Sequence, residues 1–403
     1  MSDDYGGLPV LDLADPAWWR LPAEVTAPMH QRGAVAAFVP SFGTVSFLRY
    51  DDCLRALTDQ RLAAMGARYF EMQGWTDGPF VDWIRLNVVM MNPPGHGRLR
   101  ALVTRAFTPK AVASMRGVSE RVAQDLCGEV DAGGGTVEFV HDWARVLPLR
   151  VVCEMIGVPR VDVAQMAEWA HGLTVASGMA DPSARHAGDQ AMEAFNAYVS
   201  SMIAERREAR RDDLLSALID VEEAGDRLTM DELVAMVVQL IFAGHETTQN
   251  LLGNGMYRLL EHPDQRALLA REPERIAGAV EEMLRYDPPI IFTSRIATEP
   301  MQIGGVEVAA DQLVMLNLTA ANHDPAQFSE PARFDVTRPE VRHLSFGHGV
   351  HFCLGASLAR LEAEVAFTTL LGRYRTFEEA GQSDWTSYTP LRGRQRLDLV
   401  MRP

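Results

Sequence analysis

At 403 residues and a formal charge of −16, the chain repels nucleic acid and anionic membrane surfaces on average. Its 47% hydrophobic and 23% charged residues are ordinary for a globular enzyme and imply no long disordered tail. The acidic start lacks a basic segment followed by an apolar run, and Cys53, Cys127, Cys153 and Cys353 are too far apart to form a disulfide framework, so a cytoplasmic, membrane-free protein is expected.

Residues 15–32 read as an amphipathic helix, and residues 35–40 and 45–48 as a hairpin around Ser41-Phe42-Gly43-Thr44. A short helix follows over 51–59. From 63 to 91 the pattern is irregular, with Tyr69, Phe70, Trp75, Phe80 and Trp83 interrupted by Gly66, Gly74 and Gly78. That composition suits either plain core or a mobile wall over a pocket, and both readings stay open. Pro93 and Pro94 then open a helix that sets His96 and Arg100 four residues apart on one face, a spacing that suits an anion or merely solvent. Helices are predicted over 108–131, 141–156, 161–172 and 189–211, with residues 177–188 a lid-type loop and the charged run Glu205–Arg211 a solvated face.

Thr229-Met-Asp-Glu232 is a capping box, and the helix it opens should run to about Glu261, before His262-Pro263. Residues 233–243 are apolar nearly all round apart from Gln239, so this is a central buried helix. Polarity then intrudes in its middle, at Ala243-Gly244-His245-Glu246-Thr247-Thr248. An acid and a hydroxyl inside a buried helix are costly unless paired or used, and a hydroxyl bonded back to a carbonyl opens the helix locally. The small pair Ala243-Gly244 leaves room for a flat ligand. Further on, Glu282 and Arg285 are spaced i,i+3, residues 290–295 read as a strand, and short strands surround Gly304-Gly305.

The stretch Phe346-Gly-His-Gly-Val-His-Phe-Cys-Leu-Gly355 holds Cys353 in a loop that leads into a helix-prone run. A helix N-terminus and N–H groups freed by glycines stabilise a thiolate there, and Phe346 and Phe352 can shield it. The histidines around it could suggest zinc, but structural zinc sites normally bring paired cysteines at short spacing.

Phe346, Gly349, His351, Cys353 and Gly355 meet the pattern Phe-x-x-Gly-x-His/Arg-x-Cys-x-Gly, and residues 243–247 meet Ala/Gly-Gly-x-Asp/Glu-Thr. The chain therefore resembles the bacterial soluble cytochromes P450. The resemblance implies a mainly α fold with small β-sheets, one domain over residues 1–403, and β-rich portions near 35–48, 290–317 and 385–400. Haem b would lie between the central helix and the cysteine-loop helix, with Cys353 as the iron ligand. Ala243 and Gly244 would lie beside the haem, and His96, Arg100, Arg295 and His351 would bind its propionates. Glu246 and Thr247 would be the acid and alcohol used with O2, and Glu282–Arg285 a structural ion pair. Val88, Val89, Leu240, Ile291, Phe292 and Leu391 would line the pocket, with Ile290 and Thr293 beside them, and residues 388–393 would close its far side.

The implied reaction is insertion of one oxygen atom into an apolar small molecule such as a terpenoid, steroid or macrolide, with hydroxylation foremost. Electrons would come from a separate ferredoxin and its reductase, and Arg98, Arg105, Lys110 and Arg360 are candidate landing cations. The protein is expected to be monomeric. A peroxide-driven peroxygenase is disfavoured by the retained Glu246-Thr247 pair. A pure electron carrier or gas sensor is disfavoured by the room at Ala243-Gly244.

Overall fold

The computed structural model describes residues 7–178, 182–223, 228–381, 383–386 and 390–403. In the first part of the chain, α1 (Pro16–Arg20) and α2 (Pro22–Gln31) precede the hairpin β1 (Ala36–Val39) and β2 (Thr44–Phe47), then α3 (Tyr50–Thr58) and β3 (Leu62–Ala64). The single helix expected over 15–32 is split, because Leu21 leaves the helical region (φ −137°, ψ 56°) ahead of Pro22. The segment 63–91 contains α4 (Arg68–Glu71) and α5 (Pro79–Leu86). Its aromatics Phe70, Trp75, Phe80 and Trp83 are buried, with ring centroids 5.1 Å apart for Phe70–Phe80 and 5.8 Å for Phe80–Trp83. These four rings are core, and Phe70, with Tyr69 and Gly66, also lines a cavity, so the segment serves both readings.

The helices α6 (Gly95–Ala106), α7 (Pro109–Ala132), α8 (Val146–Ile156), α9 (Val163–Ser177), α10 (Pro182–Glu208) and α11 (Leu214–Glu223) follow, with β4 (Thr136–Glu138) and a π-helical turn at Phe139–Ala144 between α7 and α8. The expected loop over 177–188 is corrected: α10 starts at Pro182, a residue type suited to a helix N-terminus, so 183–188 are helical, and residues 179–181 lie outside the described ones. The charged end of α10 is not wholly a solvated face either. Arg206 is buried, 2.7 Å from Asp213 and 2.8 Å from the carbonyl of Gly157.

The central helix α12 (Met230–Glu261) has 32 residues, about 48 Å of length at 1.5 Å per residue. Its capping box is present as expected: the Thr229 hydroxyl accepts from the Glu232 N–H at 3.2 Å, and the Glu232 carboxylate accepts from the Thr229 N–H at 2.9 Å. It packs against α8, α9, α10, α14 (Ile276–Tyr286) and α16 (Ala356–Arg373), with α13 (Pro263–Arg271) against α12 and α16, while α15 (Leu318–Asn322) packs on α2 and α3.

A five-stranded sheet has the order β1-β2-β8-β5-β3, with β5 (Phe292–Ala297) antiparallel to β8 (Leu313–Asn317) and β8 parallel to β2. The hairpin β6 (Met301–Ile303) and β7 (Val306–Val308) turns at Gly304-Gly305 as expected. The third β-region departs from the prediction: β9 (Thr376–Glu379), β10 (Asp398–Arg402) and β4 form the sheet, whereas the described residues of 385–394 contribute only the bridges Trp385–Arg394 and Ile290–Leu391. Strand pairing there depends on β4, whose Glu138 faces Asp398 far along the chain, which no local pattern reveals. Tyr388 and Thr389 of the expected pocket-closing turn lie outside the described residues.

Candidate active site

Cys353 stands between a short 3₁₀ turn (Gly349–His351) and the start of α16. Its N–H donates to the Phe346 carbonyl at 2.9 Å, which closes the loop. Gly349 has φ 68°, and a Cβ there would meet the Leu57 carbonyl at 3.0 Å, so the turn needs glycine both for its dihedral and for its approach to α3. Burial pushes the Cys353 thiol up, while the Gly355 N–H, Arg100, Arg360 and the Ala356 N–H pull it down, and burial wins. The helix start therefore does not ionise the sulfur alone. A cation bound to it would, as a coordinating metal does.

An ion pair behind the loop fixes its approach. Glu282 and Arg285 on α14 are both fully buried, joined by bonds of 2.7 and 2.8 Å. Arg285 also donates to the carbonyls of Asn322 (3.0 Å), Pro331 (2.9 Å) and Arg333 (3.1 Å), and Glu282 accepts from the Asp335 N–H (2.9 Å) and Arg338 (3.2 Å). Asn322 continues the chain of bonds to Ser345 and the Leu344 N–H, at 2.9 and 2.8 Å. The adjacent Glu281, which matches no motif, is bound by Arg360 at 2.6 and 2.9 Å and by His343 at 3.3 Å. Arg360 also covers the Phe346 ring at 4.5 Å.

Across from Cys353, α12 presents Leu240, Ala243, Gly244 and Thr247 at helical spacing to the same cavity. The Thr247 hydroxyl donates to the Ala243 carbonyl at 2.9 Å, the local back-bonding that its sequence position suggested. Glu246 is held differently: the Thr174 hydroxyl on α9 lies 2.5 Å from its Oε2, and burial raises its pKa despite that bond and Arg145.

His96, Arg100, Arg295 and His351 converge beside the cysteine loop. The His96 and His351 rings are 4.2 Å apart, and Arg100 donates to the Phe352 carbonyl at 2.6 Å. Burial lowers the pKa of all four, with Arg100 adding to the effect at His96, and His96, Arg295 and Arg100 adding to it at His351, which falls to about 4. Arg295 is 8% exposed and donates only to the Thr293 hydroxyl (3.0 Å) and the Ser294 carbonyl (2.8 Å). Among the described residues no carboxylate pairs with Arg100 or Arg295. Two guanidinium groups and two imidazoles gathered without an acid fit a ligand that brings two carboxylates of its own. The haem expected from the sequence is such a ligand, and Cys353 would supply the thiol for its iron.

The cavity has a volume of about 520 Å³ and is mostly apolar. Val88, Val89, Leu240, Phe292 and Leu391 line it as expected, with Ile290 and Thr293. Ile291 does not. It precedes β5 and is fully buried in the cluster that holds Leu11 and Trp18. Two of the expected landing cations carry acidic partners within the chain: Arg98 is bound to Glu232 on α12, and Arg360 to Glu281.

Sequence reasoning missed three polar groups here. Gln239 lines the cavity and was noted only as a break in an apolar run. Glu362 on α16 is buried beside Thr248, its pKa raised well above the carboxylate range by burial. Thr174 had no signal at all, because its partner is 72 residues away.

The family model described as Cytochrome P450 matches residues 179–399. The chain is 38% identical over 361 residues to the 6-deoxyerythronolide B hydroxylase of Saccharopolyspora erythraea, covering 87% of this chain and 88% of the relative. It is 37% identical over 398 residues to the vitamin D(3) 25-hydroxylase of Pseudonocardia autotrophica, covering 97% and 96%. Among solved structures, CalO2 superposes with a TM-score of 0.91 at 29% identity, covering 98% of this chain and all of that one.

Proposed function

From the premise that this chain belongs to the cytochrome P450 family and is a monooxygenase, we propose that it inserts one oxygen atom from O2 into a free, apolar small molecule of the size of a steroid or macrolactone. One observation carries the reading: the Cys353 loop and the Ala243–Thr248 stretch of α12 face one another across a single, mostly apolar cavity. When bound, haem b supplies the one-electron and oxygen chemistry.

The residues of the chain bind and orient that group. Cys353 ligates its iron, His96, Arg100, Arg295 and His351 neutralise its propionates, and the glycine turn lets the backbone come close to its face. Thr247 holds a hydroxyl at the cavity side of α12, and Glu246, whose carboxyl burial biases towards the protonated form, sits just behind it as the acid. Apolar side chains such as Val88, Leu240, Phe292 and Leu391 orient the substrate and exclude bulk water. Electrons come from a separate ferredoxin and its reductase.

Two relatives are named as hydroxylases of 6-deoxyerythronolide B and of vitamin D(3), which supports a bulky, largely apolar substrate and hydroxylation as the reaction. The test is turnover with a ferredoxin, its reductase and a panel of such compounds under isotopically labelled dioxygen. Product carrying one labelled oxygen atom is expected. Product formed only with added peroxide, or labelled only from water, overturns the proposal.

A further inference from the structure

The buried carboxyl of the site, Glu246, is fastened to a neighbouring helix by a hydroxyl. Thr174 Oγ1 lies 2.5 Å from Glu246 Oε2 and 3.2 Å from the Ala170 carbonyl one turn back on α9. This hydroxyl serves either charge state of the acid. It donates to an ionised carboxylate, and it accepts from a protonated one while passing its own hydrogen to Ala170. Around the pair stand Arg145 beside α8, His171 on α9, and His245 and Thr247 on α12. His245 is 5% exposed and neither ring nitrogen has a partner among the described residues, so it offers the acid no alternative anchor.

The far end of the same helix reaches the cavity. Ser177 and Gly178, one turn beyond Thr174, form part of the cavity wall, as Glu246 itself does. One helix, α9, therefore carries both a piece of that wall and the hydroxyl that holds the acid.

We propose that Thr174 is a positioning residue that fixes the direction of the Glu246 carboxyl, and that it couples filling of the cavity at Ser177–Gly178 to the placement of that proton. The inference rests on the reading of this cavity as the oxygenase site. It adds a residue from α9 to a device otherwise built from α12 alone. A rigid hydrogen bond of this kind is specified by the hydroxyl, so serine replaces it and valine, its near isostere, does not.

The test begins with infrared difference spectra of the ferric, substrate-free protein across a pH titration, with Glu246→Gln used to assign the carboxyl band against that of buried Glu362. Thr174→Val is expected to shift the Glu246 band towards a free carboxyl and move its titration to higher pH, while Thr174→Ser keeps both near the parent. In turnover, Thr174→Val should give roughly fivefold less product per reductant consumed, a fraction of what a positioned acid contributes. Thermal midpoints of the three proteins report whether valine has disturbed α9. A Glu246 band and titration unchanged in a folded Thr174→Val protein overturn the proposal. This readout needs no substrate, so it stands apart from failure of the monooxygenase reading, which the labelled-dioxygen experiment detects.

Discussion

Glu246 and Thr247 are neighbours on α12 held by different anchors, the first by a hydroxyl on α9 and the second by its own helix. That division predicts different consequences of removing each. A Thr247→Ala enzyme is expected to consume reductant at near the parent rate while releasing peroxide in place of product. Coupled product formation at the parent level would refute the role of the hydroxyl. The propionate cluster makes a second prediction at this scale. Arg295 is buried without a carboxylate partner, so Arg295→Leu removes a charge-assisted bond to haem and should weaken haem retention about tenfold. Haem transfer to an apo-acceptor measures it, and retention equal to the parent would detach Arg295 from the propionates. Thr247 was readable from the polar break in an otherwise apolar helix, whereas Arg295 came only with the family resemblance. Thr174 and Glu362 were not readable, because each acquires its place only when distant helices pack.

At the scale of elements, the α14 hub matters most for holding the cysteine loop. Replacing Glu282 by Gln leaves a fully buried Arg285 without its counter-charge, and a loss of about 3–5 kcal/mol in stability is expected from urea unfolding of the holoprotein. A loss under about 1 kcal/mol would mean that the carbonyl contacts of Arg285 suffice alone. The neighbouring Glu281 gives a pH-dependent term. Burial opposes its ionisation, but Arg360 and His343 prevail and bring its pKa from 4.5 to about 2. A depressed acid stabilises the fold above its unfolded value and loses that contribution as pH falls from 4.5 towards 2. Arg360→Gln should flatten the acid limb of stability against pH over that window, and an unchanged limb would contradict it. Helix limits such as the Thr229 capping box and the break before Pro263 were legible, since caps and prolines are local signals. The partners of β4 and the inward turn of Arg206 were not, because sheet pairing over a long separation and the burial of a charge are settled by packing.

For the whole molecule, the fold brings a loop from the last fifth of the chain against the middle of a 32-residue helix and a donor from α6, and the site exists only where these three meet. The family could be named from two short motifs, and the architecture came with it. The cavity wall could be named only in part. Ile291 went into the core while Val88, Leu240 and Leu391 remained, and the expected lid segment reaches the cavity only at its start, Ser177 and Gly178 at the end of α9. Among the described residues no helix is long and apolar enough to cross a membrane. Everything proposed for the reaction depends on one bond, that between the Cys353 sulfur and haem iron. The ferrous–carbonyl difference spectrum of the purified, haem-loaded protein reads that bond directly. The account predicts a thiolate-type carbonyl band, lost in Cys353→Ser. A band of the imidazole type in folded parent protein, or one unchanged by Cys353→Ser, would contradict it and leave Cys353 a buried thiol.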